Sequence, residues 1–299
     1  MPIVLRWSGS ATCRTVTDTM GKIVWLASYP KSGNTWMRAL LHNLFRNPDR
    51  PLPLNELGGG QLTTAEAALH WYQGLDPRPL AEIPQEELDA LRLRVHAAIA
   101  ASLPGNIFCK IHGAIFELRG TMTVNLDVSA GAIYIVRNPL DVVLSYADFQ
   151  GISVDVATKG LGARNFELPR DSDNVSEPLG SWSQNVESWT GQPSPALHVV
   201  RYEDLIAKPV AAFGKVAKFL GIDAPRPRLE RAVRFSSFKV LRGQEDRSGF
   251  AERSPAQERF FRSGRAGGWR DALSDEQVTA IVSDHREQMV RFNYVPDGF

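Results

Sequence analysis

The sequence is poor in the features that mark several large classes of protein. Its two cysteines, Cys13 and Cys109, are too few for a framework of disulfide bonds. No apolar run approaches the ~20 residues of a membrane-spanning helix, and polar residues interrupt the first twenty positions, so we expect no signal peptide. A net charge of +1 lacks the basic balance typical of nucleic-acid-binding proteins. We therefore expect a globular, cytoplasmic protein that does not bind nucleic acid.

The usual metal-binding motifs are also missing. The chain contains no H-E-x-x-H run, no C-x-x-C pair and no dense cluster of acidic residues. We therefore expect chemistry that relies on fixed cations, without a bound metal ion.

Segments typical of strands and helices alternate along the 299 residues. Apolar runs predict strands at 23–28, 107–112, 132–136 and 196–200, and helical periodicity appears at 35–45, 63–73, 85–102, 138–149, 178–190, 208–220, 226–235 and 275–291. This alternation predicts an α/β fold in a single domain, with a central parallel sheet flanked by helices. The domain should cover residues 20–299, after a disordered extension at 1–19. Residues 150–177 lack periodicity and predict a mobile loop that acts as a lid.

The most informative stretch is Y-P-K-S-G-N-T-W, from Tyr29 to Trp36, between the first strand and the first helix. A glycine-containing loop at a helix N-terminus points backbone N–H groups at one spot, where the helix dipole adds positive potential. The loop therefore predicts a phosphate site. In the nucleoside-triphosphatase loop the lysine follows the second glycine, whereas Lys31 precedes Gly33 here. The loop is P-loop-like, but its order does not favour ATP with magnesium.

Other polar residues follow the ends of the predicted strands, where open parallel sheets bind their ligands. Lys110 and His112 end the second strand, Arg137 follows the third, and Tyr202 follows the last. His112 suits a general base beside a cation, and Arg137 suits a forked contact with phosphate. The alternatives are a structural histidine and an ion pair between Arg137 and Asp141.

A basic segment rich in glycine spans residues 242–270, with seven arginines against four acidic residues. This composition predicts a loop, and its run R-S-G-R-A-G-G-W from Arg262 to Trp269 suits closure over a phosphate. A solvated surface loop is the alternative. Trp36, in the first turn of the first helix, either stacks on a purine ring or belongs to the core.

Together these elements resemble the sulfotransferases that use 3′-phosphoadenosine 5′-phosphosulfate (PAPS), in the same order from Ile23 to the C-terminal region. The loop at 29–36 is similar to the 5′-phosphosulfate loop of that family, and Lys110-x-His112 to its Lys-x-His pair. Further similarities are R-N-P-x-D-x-x-x-S at 137–145, Y-E-D-L at 202–205, S-S-F at 236–238 and R-x-G-x-x-G-x-W at 262–269.

The resemblance implies a role for each matched position. His112 would be the general base, and Lys31 and Lys110 the cations that steady the transferred group. The donor PAPS would be bound by Lys31, Ser32, Gly33, Asn34, Thr35, Trp36, Arg137, Ser145, Tyr202, Ser236, Phe238, Arg262, Ser263 and Gly264. The implied reaction is direct in-line transfer of a sulfuryl group to a hydroxyl, less readily an amine, of a small-molecule, lipid or carbohydrate acceptor. The implied product is 3′-phosphoadenosine 5′-phosphate (PAP).

Some positions depart from the family pattern. Gly113-Ala114 follow His112, where animal cytosolic members commonly have Leu-Pro, and Ser263 replaces a frequent lysine. The C-terminal dimer signature of those enzymes is not met, so their dimer is not expected here. The sequence is more similar to a soluble bacterial member. It predicts neither the acceptor nor the oligomeric state. Two other functions stay open: a P-loop small-molecule kinase, and a non-catalytic nucleotide-binding protein of the same fold.

Overall fold

The computed structural model describes residues 21–57 and 62–299, so the predicted extension at 1–19 lies outside the described residues. The strands are β1 (Ile23–Ser28), β2 (Thr63–Ala65), β3 (Ile107–Ile111), β4 (Glu117–Leu118), β5 (Thr121–Met122), β6 (Ser129–Val136), β7 (Glu167–Leu168), β8 (Glu177–Pro178) and β9 (Leu197–Arg201). The helices are α1 (Asn34–Arg46), α2 (Leu69–Gln73), α3 (Gln85–Ala101), α4 (Pro139–Gln150), α5 (Val154–Gly162), α6 (Trp182–Thr190), α7 (Tyr202–Ala207), α8 (Pro209–Phe219), α9 (Arg226–Phe235), α10 (Phe238–Ser248) and α11 (Asp275–Arg291).

Five strands form one parallel sheet in the order β2-β3-β1-β6-β9. The central strand β1 pairs with β3 on one side and with β6 on the other, so that Ala27 lies between Ile111 and Tyr134. Next to β6, strand β9 pairs Arg201 with Val136. Because every pairing in this sheet is parallel, the carboxyl ends of its strands meet at one edge. The predicted parallel sheet is confirmed.

Alternation along the central strands divides the core into two layers. Trp25 and Ala27 face a layer covered by α3, α4, α5, α6 and α11, whereas Val24 and Leu26 face a layer covered by α1, α8 and α9. Both faces of the sheet are therefore buried, as parallel sheets require. Cys109 of β3 is fully buried in the first layer, where burial raises the pKa of its thiol well above the usual value.

The single helix predicted at 63–73 is wrong. Thr63 to Ala65 pair with β3 as an edge strand, and α2 begins only at Leu69. β-Branched threonines favour an extended chain, and the Thr63 hydroxyl donates a hydrogen bond to the Leu57 carbonyl. The helix predicted from residue 178 likewise starts at Trp182, because Pro178 lies in β8.

The unbroken loop predicted at 150–177 is also wrong. Ser153 caps α5 by accepting a hydrogen bond from the Val156 amide, and Ala157 and Leu161 are buried in the first layer. A helix of nine residues with two glycines is too short to show clear periodicity. The lid function of this segment stays a prediction. In the basic segment, α10 occupies the chain as far as Ser248, so the predicted loop begins only at residue 249.

A buried ion pair stabilises the first layer near the edge strand. Glu66 accepts a hydrogen bond from Arg92 at 3.0 Å, and these side chains are 1% and 2% exposed. Arg92 also donates to the Ser176 carbonyl at 2.7 Å, which ties α3 to the chain before β8.

We expect Glu66→Ala to lower the free energy of unfolding by about 3–5 kcal/mol, because Arg92 would be left buried without its anion. Denaturant titration followed by circular dichroism measures the change. The exposed pair of Arg226 and Glu230 supplies the control, since Glu230→Ala should have a much smaller effect. Equal losses for the two variants would contradict the prediction.

Candidate active site

The turn between β1 and α1 has an unusual backbone. Lys31 and Gly33 have φ angles of 67° and 108°, both in the left-handed region. A Cβ atom at Gly33 would lie 2.8 Å from the ring of Tyr202, so only glycine fits there. Helix α1 has no side-chain cap and no acidic residue in its first turn. The positive end of its dipole and its lack of a side-chain cap suit an anion.

Buried polar atoms without a partner are concentrated around this turn. Within residues 21–57 and 62–299, twelve buried side-chain polar atoms have no hydrogen-bond partner, and six of them belong to residues 29–38. They include Lys31 Nζ, Ser32 Oγ and Asn34 Oδ1, and Arg137 Nε is also among the twelve. Native proteins leave few buried polar atoms unpaired. Because several of these groups are donors or cations, the turn fits an anionic ligand.

Lys31 lies between two aromatic rings. Its Nζ atom is 4.1 Å from the ring centroids of Phe149 and of Phe260. Burial, supported by the charge of nearby Lys110, lowers the pKa of Lys31 to about 7. An anion bound beside Lys31 would raise this pKa again and keep the lysine charged.

The orientation of His112 leaves one ring nitrogen available as a base. Its Nδ1 atom lies 2.7 Å from the Ser28 carbonyl oxygen, which can only accept a hydrogen bond, so Nδ1 carries the proton and Nε2 the lone pair. Asn185 of α6 donates to the His112 carbonyl at 2.8 Å. Burial, and then the charge of Lys110, lowers the pKa of His112 to about 3. The imidazole is therefore neutral, with a free lone pair, at physiological pH.

Arg137 follows β6 and contacts the neighbouring strand ends. Its Nη1 atom donates to the Lys31 carbonyl at 2.8 Å, and its guanidinium lies 4.3 Å from the centroid of the Tyr202 ring. The alternative pairing with Asp141 is not observed. Asp141 instead accepts hydrogen bonds from the Gly267 and Trp269 amides, at 2.7 and 3.1 Å. The carboxylate thus fixes the glycine-rich loop against the start of α4.

Aromatic side chains form a platform beside the turn. The Trp36 ring meets the Tyr202 and Phe213 rings edge-on, both at 5.8 Å. Trp36 and Phe238 pack against the same small apolar cluster, which includes Leu241. A Cβ atom at Gly264 would lie within 2.3 Å of the Phe238 ring, so the glycine lets the basic loop rest directly on that ring.

The remaining residues of the predicted site make fewer contacts with the turn between β1 and α1. Ser236 is fully buried and donates its hydroxyl to the Ala232 carbonyl at 2.7 Å. Arg262 Nη1 lies 3.8 Å from Asp148 Oδ1, with a side chain that is 52% exposed. Ser145 is half-buried on α4 and Ser263 is exposed. In the described part of the chain, no side-chain hydrogen bond connects either serine to the turn.

Sequence reasoning missed several residues that shape the site. Arg38 is one turn beyond Thr35 on the buried face of α1, and its guanidinium contacts Glu252 and the Thr35 hydroxyl. Asn185 holds the His112 backbone from α6. The sequence signal for each of these two residues is a polar side chain at a buried position of its helix.

Fold and site together define an α/β protein with a P-loop-like turn that suits an anion, and with a histidine at the edge of its central sheet. The family model described as the sulfotransferase domain matches residues 22–293. The chain therefore belongs to the sulfotransferase family, a family of enzymes, and the prediction of this family is confirmed.

Individual relatives are distant but cover most of the chain. It is 23% identical over 282 residues to sulfotransferase 1A1 of Canis lupus familiaris, covering 88% of this chain and 82% of that protein. It is 26% identical over 276 residues to flavonol 3-sulfotransferase of Flaveria bidentis, covering 86% and 78%.

Solved structures show the same fold. Mouse sulfotransferase SULT7A1 complexed with PAP superposes with a TM-score of 0.57 at 20% identity, covering 92% of this chain and 90% of that one. Retinol dehydratase in a complex with retinol and PAP gives a TM-score of 0.57 at 18% identity, covering 89% and 81%. In residues 21–57 and 62–299, none of the helices has the length and apolarity needed to cross a membrane.

Five histidines whose pKa is lowered in the folded chain predict how stability depends on pH. Burial lowers the pKa of His42, His112 and His285 from 6.5 to about 4, 3 and 4, and it also lowers the pKa of His96 and His198. A pKa that is lower in the folded state means that stability is complete above the unfolded value and is lost as the pH falls below it. We expect these histidines to make the free energy of unfolding fall from about pH 6.5 towards pH 4.

Denaturant unfolding at a series of pH values measures this dependence. His112→Asn should make the slope between pH 6.5 and 4.5 shallower, because one of the five contributing histidines is removed. His70 is exposed, so His70→Asn is the matched control and should leave the slope unchanged. An unchanged slope in His112→Asn would show that His112 is not buried as a neutral group.

Proposed function

We propose that this chain transfers the sulfuryl group of PAPS to a hydroxyl oxygen of its acceptor by direct in-line displacement. The main support is the cluster of buried, unpartnered polar atoms at the β1–α1 turn, which faces a neutral histidine with a free Nε2 lone pair. Two solved neighbours with the same fold are described as complexes with PAP, the product that PAPS would leave.

Two separate anion sites match the two charged ends of PAPS. The turn at 31–35 would hold the 5′-phosphosulfate. Arg137 and the glycine-rich loop fixed by Asp141 would hold the 3′-phosphate, since a guanidinium suits phosphate. Trp36 and Phe238, which pack on one apolar cluster, would enclose the adenine ring, with Tyr202 and Ser236 beside it.

Bound PAPS supplies an activated sulfuryl group and a stable leaving phosphate. His112 Nε2 accepts the proton of the acceptor hydroxyl, and the Ser28 carbonyl stabilises the resulting imidazolium through Nδ1–H. Lys31 and Lys110 neutralise negative charge at the transferred group and at the leaving oxygen. Catalysis by these residues is mainly positioning and charge stabilisation.

The acceptor is proposed only as a class: a small molecule, lipid or carbohydrate with a hydroxyl, or less readily an amine. A cytoplasmic location and a reaction without metal also stay predictions. A P-loop kinase would be favoured by stabilisation with ATP and magnesium but not with PAP. A non-catalytic protein would be favoured by PAP binding without turnover of any acceptor.

We expect His112→Ala to lower turnover by about 10²–10⁴-fold, because the general base is lost. Release of PAP from PAPS in an acceptor screen measures turnover, and calorimetry should show an unchanged Kd for PAP. His70→Ala is the matched control and should retain full turnover. Full turnover in His112→Ala would contradict the assignment of the base.

Arg137→Met tests the 3′-phosphate site. We expect it to weaken PAP binding by about 10- to 100-fold, the cost of losing charge-assisted hydrogen bonds. Binding of adenosine 5′-phosphate, which lacks the 3′-phosphate, should weaken much less, so the ratio of the two Kd values reports the role of Arg137. Arg226→Met, at an exposed arginine of α9, is the control. Equal weakening of both ligands would show that Arg137 only supports the turn.

A further inference from the structure

A carboxylate from a distant part of the chain lies against the proposed donor site. Glu252 belongs to residues 249–261, the segment between α10 and the glycine-rich loop, which we call the covering segment. Glu252 accepts hydrogen bonds from Arg38 at 2.6 and 2.8 Å. Its Oε2 atom also lies 3.4 Å from the Thr35 hydroxyl, in the first turn of α1. The carboxylate is thus held by the part of the turn that is proposed to bind the 5′-phosphosulfate.

The surroundings of Glu252 are cationic. Burial alone would raise the pKa of this carboxyl, but the charges of Arg38 and Lys110 lower it to about 2. Glu252 is therefore an anion throughout the physiological pH range. Its charge also favours the protonated forms of Lys31 and His112.

The same segment also shields Lys31. The Phe260 ring lies 4.1 Å from Lys31 Nζ, opposite the ring of Phe149. The amides of Phe260 and Phe261 donate to the Glu245 carboxylate at 2.7 and 2.9 Å. These bonds hold the covering segment to α10 in an ordered conformation.

We propose that Glu252 is an internal anion that occupies the positive pocket at the start of α1 and competes with the donor for Arg38 and Thr35. This inference rests on the donor assignment made above. The carboxylate offsets the charge of the convergent cations when no donor is bound. Donor binding then requires the Glu252–Arg38 ion pair to break and the covering segment to move away from Lys31, so part of the intrinsic affinity is lost to this opening.

The matched pair Glu252→Gln and Glu258→Gln tests the proposal. Each substitution removes one negative charge from the covering segment, but Glu258 forms no ion pair in the described part of the chain. Relative to wild type and to Glu258→Gln, we expect Glu252→Gln to bind PAP more tightly. The gain should be about tenfold if the closed form outweighs the open form by about ten to one. Calorimetric titration with PAP gives the Kd values, and the thermal midpoints check that each variant is folded.

Hydrogen exchange of the covering segment provides a second readout, independent of affinity. In wild type, amides of 249–261 should exchange faster when PAP is bound; in Glu252→Gln they should already exchange faster without it. If wild type binds PAP but Glu252→Gln binds it no more tightly than Glu258→Gln, the internal-anion proposal is wrong and the donor assignment survives. If PAP binds to none of the three proteins, the donor assignment itself is wrong.

Discussion

Arg137 joins chain segments that are far apart in the sequence, and the geometry of the site depends on it. Its guanidinium donates to the Lys31 carbonyl and lies over the Tyr202 ring, so it connects the turn after β1 with the start of α7. Lys31 has a positive φ angle, which a residue other than glycine adopts only at a cost in free energy. The hydrogen bond from Arg137 offsets part of that cost and fixes the direction of the Lys31 carbonyl. Without Arg137 the turn would lose the hydrogen bond that fixes the backbone of Lys31.

Placing several cations close together costs electrostatic free energy. The protein reduces this cost by lowering the pKa values of Lys31 and His112. Burial and mutual repulsion push Lys31 towards its neutral form, and the same effects keep His112 uncharged. For His112 this is useful, because a base must start unprotonated. For Lys31 it means that full charge depends on an anion nearby. Charge in this site is therefore set jointly by the protein and by what is bound to it.

The sequence predicted those parts of the site that are encoded locally. The turn from Tyr29 to Trp36 could be recognised because strand, glycine and helix start are contiguous, and Arg137 because it directly follows an apolar strand. The edge strand β2 and the short helix α5 were missed, since three residues and two helical turns carry little periodicity. Contacts over long sequence separations were also missed. Neither the ion pair of Arg38 with Glu252 nor the hydrogen bonds that Asp141 accepts from the glycine-rich loop leave a pattern in a single sequence.

Cys109 precedes Lys110 on β3, which brings a sulfur atom within one residue of the proposed chemistry. The thiolate is the form that oxidants and alkylating agents attack, and it forms only where solvent or a cation stabilises it. Cys109 is fully buried among apolar side chains of the first layer, and its thiol stays protonated there. Peroxide or a maleimide could reach this sulfur only after β3 separates from the core. Redox changes in the surroundings therefore cannot act on the site through Cys109 while the sheet is intact.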